Sequence, residues 1–321
     1  MESAGHGRVG EPIPGAHETH AGATSVLDRP AKTQTPASAP SSLLGIDAAE
    51  FAANFTQVPF FIRHTLGQHP LFQVERLLQL ARELPPTGIE YNAGQIPMSI
   101  EHEKTPANGL SPEETIRRIA ECKSWLVLKH VQRDPAYSAL LSECMAEIAA
   151  HSEAIAPGMC SPQAFIFLTS PGSITPIHID PEHNFLLQIR GSKIVHLYDG
   201  RDRKLLPETQ LEHFYCDRGR NMEYHPWFEE KGWAFDLQPG AGLHFPVTYP
   251  HWVQNGEEVS ISFSITFRTP DLDRRRAMYQ INDRIRRFKL SPRPVGQRPT
   301  RDALLFNGYR ALRRLGVVKE G

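Results

Sequence analysis

The run from Val259 to Phe267 constrains the fold more than any other stretch of the chain. Val259, Ile261, Phe263, Ile265 and Phe267 alternate with Ser260, Ser262, Ser264 and Thr266. In an extended strand successive side chains point to opposite faces, so this run is a strand with one large apolar face and one small polar face. The apolar face belongs to a core. The polar face has two placements open to it, the wall of a ligand cavity or the solvated outside of a sheet.

The chain around this strand reads in the same way. Ala164–Thr169, Phe185–Ile189, Lys193–Tyr198 and Gly242–Phe245 are short runs rich in aromatic and branched residues. Pro171-Gly172, Gly191, Pro239-Gly240 and Asn255-Gly256 punctuate them. That is the pattern of a sandwich or closed barrel. Upstream, helices are expected over about 71–84, ended by Pro85-Pro86, and over about 135–151. A third should start at Ser111, with Pro at the first helical position and Glu114 three residues after the cap. Residues 202–233 form a charged, aromatic insertion between two strands, expected over the barrel mouth. Downstream, Met278, Ile281, Ile285 and Phe288, then Leu305, Tyr309 and Leu312, recur at helical spacing. These stripes are expected to pack on the barrel or on another subunit.

Composition sets the limits. Residues 1–41 are rich in Gly, Pro, Ser, Ala, Thr and His, cannot bury enough surface to order, and are read as a disordered arm. Residues 42–270 are read as one domain with a helical N-terminal part, and 271–321 as a basic helical extension. The net charge of −1 over 321 residues gives no bulk argument for nucleic acid, and none is expected as a partner. Between Arg274 and Arg314, however, 13 Lys or Arg face only Asp283 and Asp302. Solvated helix faces are the simpler account of this excess; an acidic partner, RNA or a membrane surface is the other. Four scattered cysteines without CxxC spacing fit a reduced, cytoplasmic compartment. No secretory signal and no membrane-spanning run is evident.

The chemistry gathers in Thr175-Pro-Ile-His178-Ile-Asp180-Pro-Glu-His-Asn184 and the following Gly191-Ser-Lys193. His178 and Asp180, two apart, aim at one ion if the stretch is extended, with Ile177 and Ile179 facing the opposite way. An isolated His-x-Asp is usually a surface pair, so a third ligand must come from a neighbouring strand. His251, in a turn within Tyr249-Pro250-His251-Trp252, suits that role. Two histidines and a carboxylate cap one face of an octahedral ferrous ion and leave three positions open, for a bidentate oxo-acid and O2. His196 and His244 are placed on the barrel wall, and His183 is free to point to solvent. An ammonium at Lys193, projecting into a barrel, is costly without an anion. The far carboxylate of a dicarboxylic cosubstrate would be that anion, with a hydroxyl from Thr175 and an amide from Asn184 beside it. Taken alone, Lys193 reads as an exposed strand lysine.

The stretch Thr175–Lys193 resembles the Jumonji-C branch of the cupin superfamily, the Fe(II)- and 2-oxoglutarate-dependent oxygenases, and is most similar to the asparaginyl-hydroxylase type. Gly240–Pro246 with Tyr249–Trp252 resembles that family's Gly-Asp-x-Leu-x-x-Pro-x-x-Trp-His segment. Ala241 stands where the family has an acid, and Ser264 where the hydroxylases carry an Asn that contacts cosubstrate. The resemblance implies a mainly β fold, a double-stranded β-helix (jelly roll or cupin barrel) with N- and C-terminal helices around it. It implies Fe(II) on His178, Asp180 and His251, and 2-oxoglutarate near Thr175, Asn184, Lys193 and Ser264. Oxidative decarboxylation of 2-oxoglutarate with O2 would then drive hydroxylation of a peptide, protein or small molecule. A homodimer through the C-terminal helices is also implied. Two other readings stay open, a non-catalytic cupin-like binding or regulatory protein and a JmjC-type demethylase. The second lacks an accompanying reader domain or zinc cluster.

Overall fold

The computed structural model describes residues 42–101 and 104–316. The arm expected over 1–41 and the last five residues of the C-terminal extension lie outside the described residues.

The chain runs β1 (Leu44–Gly45), α1 (Ala48–Asn54), β2 (Phe60–His64), α2 (Val74–Glu83), β3 (Ile89–Ala93) and α3 (Pro112–Arg117). It continues through β4 (Ser124–Lys129), α4 (Pro135–Ser152), β5 (Cys160–Thr169), β6 (Ile174–His178), β7 (His183–Arg190) and β8 (Lys193–Leu197). Then come α5 (Glu208–Tyr215), β9 (Trp233–Leu237), β10 (Ala241–Phe245), β11 (His251–Asn255), β12 (Ser260–Arg268), α6 (Pro270–Arg287) and α7 (Pro299–Arg314).

Strands β5 to β12 alternate between two antiparallel sheets. One holds β10-β7-β12-β5 in that order, the other β6-β11-β8-β9. Consecutive strands thus fall in opposite sheets, apart from the β8–β9 pair, which is the connectivity of a double-stranded β-helix. β2 and β1 extend the first sheet at one edge, and β4 and β3 at the other.

Hydrophobic layers occupy both faces of the first sheet. On its outer face Phe185, Leu187, Ile261, Phe263, Ile265 and Phe267 pack with Leu77, Leu80, Leu141 and Ile148 of α2 and α4. Between the sheets lie Leu186, Val195, Leu197, Leu243, Phe245 and Val253. The cap read from sequence is in place: the Ser111 hydroxyl accepts from the Glu114 amide at 3.2 Å. Asp134 caps α4 in the same way.

The open placement of the β12 polar face resolves toward the interior. Ser260, Ser262, Ser264 and Thr266 are all buried. Gln188 on β7 bonds Ser260 and Ser262, and Asn184 bonds Ser264.

Several elements differ from expectation. His251 opens strand β11 instead of sitting in a turn. β1, β2, α1 and β9 were not anticipated. His183 is buried against Phe55 and Phe267, not solvent-facing. In α6, Phe288 just past the helix end is 79% exposed, while Met278, Tyr279, Gln280, Asn282 and Asp283 are buried. The buried face is partly polar because arginines cross it. Arg286 pairs with Glu212, and Arg218 and Arg287 both pair with Asp283.

Candidate metal centre

His178 ends β6 and His251 begins β11, and the two are direct cross-strand partners. A register shift between His251 and Val253 bends the ladder there; bulges of this kind commonly re-aim a side chain beside a site. The ring centroids stand 4.1 Å apart. Asp180 follows β6, and its carbonyl accepts from the Thr248 amide at 2.9 Å, tying that loop to the turn before His251.

One ligand atom from each of His178, Asp180 and His251 lies within 4.8 Å of the others. His178 Nε2 is 3.7 Å and His251 Nε2 is 3.6 Å from the same Asp180 oxygen, Oδ2. These separations are too long for hydrogen bonds. They group three donor atoms about one point, wider than the roughly 3.0 Å between adjacent ligands of an octahedral ion with bonds of about 2.1 Å, so the ligands would draw in on binding.

The remaining ring nitrogens fix the tautomers. His178 Nδ1 meets the Pro176 carbonyl at 2.8 Å, and His251 Nδ1 meets the Tyr249 carbonyl at 3.0 Å. A carbonyl only accepts, so each Nδ1 carries the proton and each Nε2 offers its lone pair. Burial, with His251 and Arg220 nearby, holds His178 well below the usual imidazole range; burial also lowers His251. For Asp180, burial pushes the carboxyl up, but the neighbouring His178 ring and the Arg220 guanidinium more than offset this, and the net is downward. The donor set is therefore two neutral imidazoles and one carboxylate, which suits a divalent transition metal.

Arg220 was not anticipated. Its Nη1 donates to Asp180 Oδ1 at 3.1 Å, leaving Oδ2 turned toward the two imidazoles. It comes from the insertion, where no spacing in the sequence ties it to the motif. Trp252 points to the outer side of the second sheet. It stacks on His196 at 3.9 Å and donates to the Tyr198 hydroxyl at 3.0 Å, and that hydroxyl donates to Glu229 at 2.7 Å.

The expected cosubstrate positions fall on the inward faces of the barrel strands. Lys193 begins β8, just after Gly191. That glycine has φ +64°, and a Cβ there would collide with the Val259 carbonyl. Lys193 is 4% exposed, not the surface lysine of the simpler reading, and burial pushes its ammonium down to about 7. No carboxylate pairs with it among the described residues. It shares the interior face of β8 with Val195 and Leu197. Leu197 lies opposite His251 on β11, so Lys193 is set deeper by four residues, about 13 Å along the strand. Thr175 lies opposite Val253 on the neighbouring strand. Asn184 Oδ1 accepts from the Ser264 hydroxyl at 2.9 Å. His244 packs on the outside of the first sheet among Phe55, Phe60 and Phe185, away from the metal ligands.

Residues 98–273 match the family described as Cupin-like domain. The chain belongs to that family. Curated relatives of this cupin-like chain include JmjC domain-containing protein D of Dictyostelium discoideum, 33% identical over 106 residues, which is 31% of this chain and 23% of that protein. Lysine-specific demethylase 8 of Danio rerio is 32% identical over 102 residues, 30% of this chain and 24% of that protein. The matched segment thus spans about a quarter of these relatives. Among solved structures, E. coli ycfD superposes with a TM-score of 0.48 at 15% identity, covering 84% of this chain and 67% of that one. The ribosomal oxygenase YcfD from Escherichia coli in complex with cobalt and 2-oxoglutarate gives 0.46 at 14% identity, covering 86% and 68%.

Proposed function

We propose that this cupin-like protein is an Fe(II)- and 2-oxoglutarate-dependent oxygenase that hydroxylates a peptide, protein or small-molecule substrate. The observation that carries this reading is the pairing of two features inside one barrel. At the mouth, two imidazole nitrogens and a carboxylate oxygen converge. Deeper, on an adjoining strand, stands a buried amine that no carboxylate among the described residues pairs with. A metal-dependent cupin that uses no dicarboxylate has no need of such an amine.

His178, Asp180 and His251 would hold the iron, each imidazole oriented by a backbone carbonyl and the carboxylate by Arg220. Lys193 would meet the far carboxylate of 2-oxoglutarate, with Thr175 adding a hydroxyl. Because Asn184 Oδ1 is taken by Ser264, its Nδ2 is free to donate to the near carboxylate. Ser264 thus acts through Asn184 in this reading. When bound, iron with 2-oxoglutarate and O2 supplies oxidative decarboxylation coupled to transfer of one oxygen atom into a C–H bond. The chain contributes orientation and a dry interior lined by Val195, Leu197, Leu243 and Phe245.

The similarity to lysine-specific demethylase 8 favours a second reading, demethylation through hydroxylation of an N-methyl carbon. Its product would be formaldehyde, where plain hydroxylation leaves a substrate heavier by one oxygen. Substrate-dependent succinate release, followed by mass spectrometry of the substrate, tests both. Full turnover by His178→Ala and Asp180→Ala would refute the ligand assignment.

Two features bear on partners and location. On α7 and at its C-cap, Leu304 and Leu315 are 75% exposed and Leu312 is 43% exposed, a stripe that supports a homodimer through the C-terminal helices. Four free cysteines support a reducing, cytoplasmic setting. Among the described residues no helix is long and apolar enough to cross a membrane.

A further inference from the structure

Helix α6 ends in a closed cap. The Lys289 amide donates to the Arg286 carbonyl at 2.8 Å, and the Leu290 amide to the Ile285 carbonyl at 3.4 Å. These two bonds close a helix when the residue after its C-cap turns left-handed. Lys289 is that residue, at φ +59°, a position where glycine is the usual occupant. The next residue often folds an apolar side chain back onto the helix. Leu290 instead stands 62% exposed, and Phe288 is 79% exposed. The cap thus holds two large apolar side chains out in solvent.

Their surroundings are basic. From Arg284 to Arg301 the chain carries seven Lys or Arg and no acid. Lys289 and Arg293 have no ion-pair partner among the described residues. Asp283, just before this stretch, is shared between Arg218 and Arg287, so that cluster keeps one positive charge over. The chain then turns back along α6, where the Arg293 carbonyl accepts from Asn282 Nδ2 at 3.1 Å. Asn282 is six residues before Phe288, so the Arg293 backbone is anchored about 9 Å behind the apolar tip.

An apolar tip with cations beside and behind it matches the layering of an anionic bilayer. Interfacial segments bury their apolar groups about 5–10 Å into the boundary between headgroups and acyl chains, and Lys or Arg meet the anionic headgroups above. A protein partner fits less well, because a stable interface buries about 800 Å² on each side, far more than two side chains on a tip supply. Nucleic acid would use the cations and leave Phe288 and Leu290 in water. We propose that the turn between α6 and α7 is a membrane-docking tip. Phe288 and Leu290 enter the interface of an anionic bilayer, and Arg287, Lys289 and Arg293 meet its headgroups. The attachment is peripheral and reversible, and it goes beyond the oxygenase reading without depending on it. It is also separate from the exposed leucines of α7.

The test is vesicle co-sedimentation of the full chain, with phosphatidylcholine alone and with about one-third phosphatidylserine added to give the charge of a cytoplasmic leaflet. The protein should bind the anionic vesicles, bind the neutral ones weakly, and lose affinity as salt rises. Phe288→Ser should weaken binding about tenfold through lost apolar burial. Lys289→Gly, which removes one charge and suits the left-handed backbone, should weaken it about fivefold. Phe288→Ser should leave the melting temperature unchanged, which separates lost docking from lost folding. In Phe288→Trp the added indole emission should shift to the blue with anionic vesicles. Equal binding to both vesicles, full binding by Phe288→Ser, or no blue shift overturns the proposal. So does tighter binding to a polyuridylate oligonucleotide that Phe288→Ser leaves undiminished. A dimer that falls to a monomer in Phe288→Ser, with no vesicle binding by the unaltered chain, assigns the tip to a second copy and also overturns it.

Discussion

The Ser264 hydroxyl donates to Asn184 Oδ1 at 2.9 Å across adjoining strands, which fixes the orientation of a buried amide whose nitrogen is left for a ligand. Ser264 thereby serves Asn184. Ser264→Ala should let the amide turn and weaken 2-oxoglutarate binding about three- to tenfold, the usual net worth of one such bond. Anaerobic calorimetry with Mn(II) in place of iron measures this, and an unchanged affinity would mean the amide is held by other means.

Lys193 should show a conflict between stability and function. Burial lowers its ammonium from 10.5 to about 7. Between those values the unfolded chain keeps a proton that the folded, ligand-free chain has released, so stability rises with pH across that window and the full penalty applies below it. Lys193→Met should raise the ligand-free melting temperature near neutral pH by several degrees and flatten the rise from pH 7 to 10. The same variant should lose the stabilisation that 2-oxoglutarate gives the native protein. Scanning calorimetry with and without 2-oxoglutarate checks both halves.

Tyr198 links the insertion to the strand that carries His251. Its hydroxyl accepts from Trp252 and donates to Glu229, and the ring is fully buried. Tyr198→Phe strands the buried indole N–H and should cost about 1–3 kcal/mol in urea denaturation. A neutral result would show that Trp252 finds another partner.

The apolar stripe on α7 gives a test of assembly. Leu304→Glu combined with Leu315→Glu should convert a dimer to a monomer in light scattering while leaving the melting temperature of the barrel unchanged, since both side chains are exposed in the single chain. A monomeric mass for the unaltered protein would remove the dimer from the account.

Much of this site could be read in the sequence because it lies on strands with a period of two. His178 and Asp180 share a side, Ile177 and Ile179 take the other, and Ser260 to Thr266 form one polar face. The same logic could not decide whether that face looked inward, because Gln188, which satisfies Ser260 and Ser262, gives no signal of its own in an apolar run. β11 was hidden because Tyr249-Pro250 reads as a turn and only four residues follow before Asn255. Arg220 was out of reach for a different reason. Its approach to Asp180 depends on the path of the insertion, which leaves no periodic trace. In α6 the apolar stripe was misleading because ion pairs, not only apolar contacts, bury one side.

The most direct test of the central claim is metal stoichiometry by anaerobic equilibrium dialysis with Fe(II), followed by metal analysis. The account predicts one iron per chain for the native protein and loss of most of it in each of His178→Ala, Asp180→Ala and His251→Ala, with native circular dichroism retained. One full equivalent of iron in all three variants would contradict it.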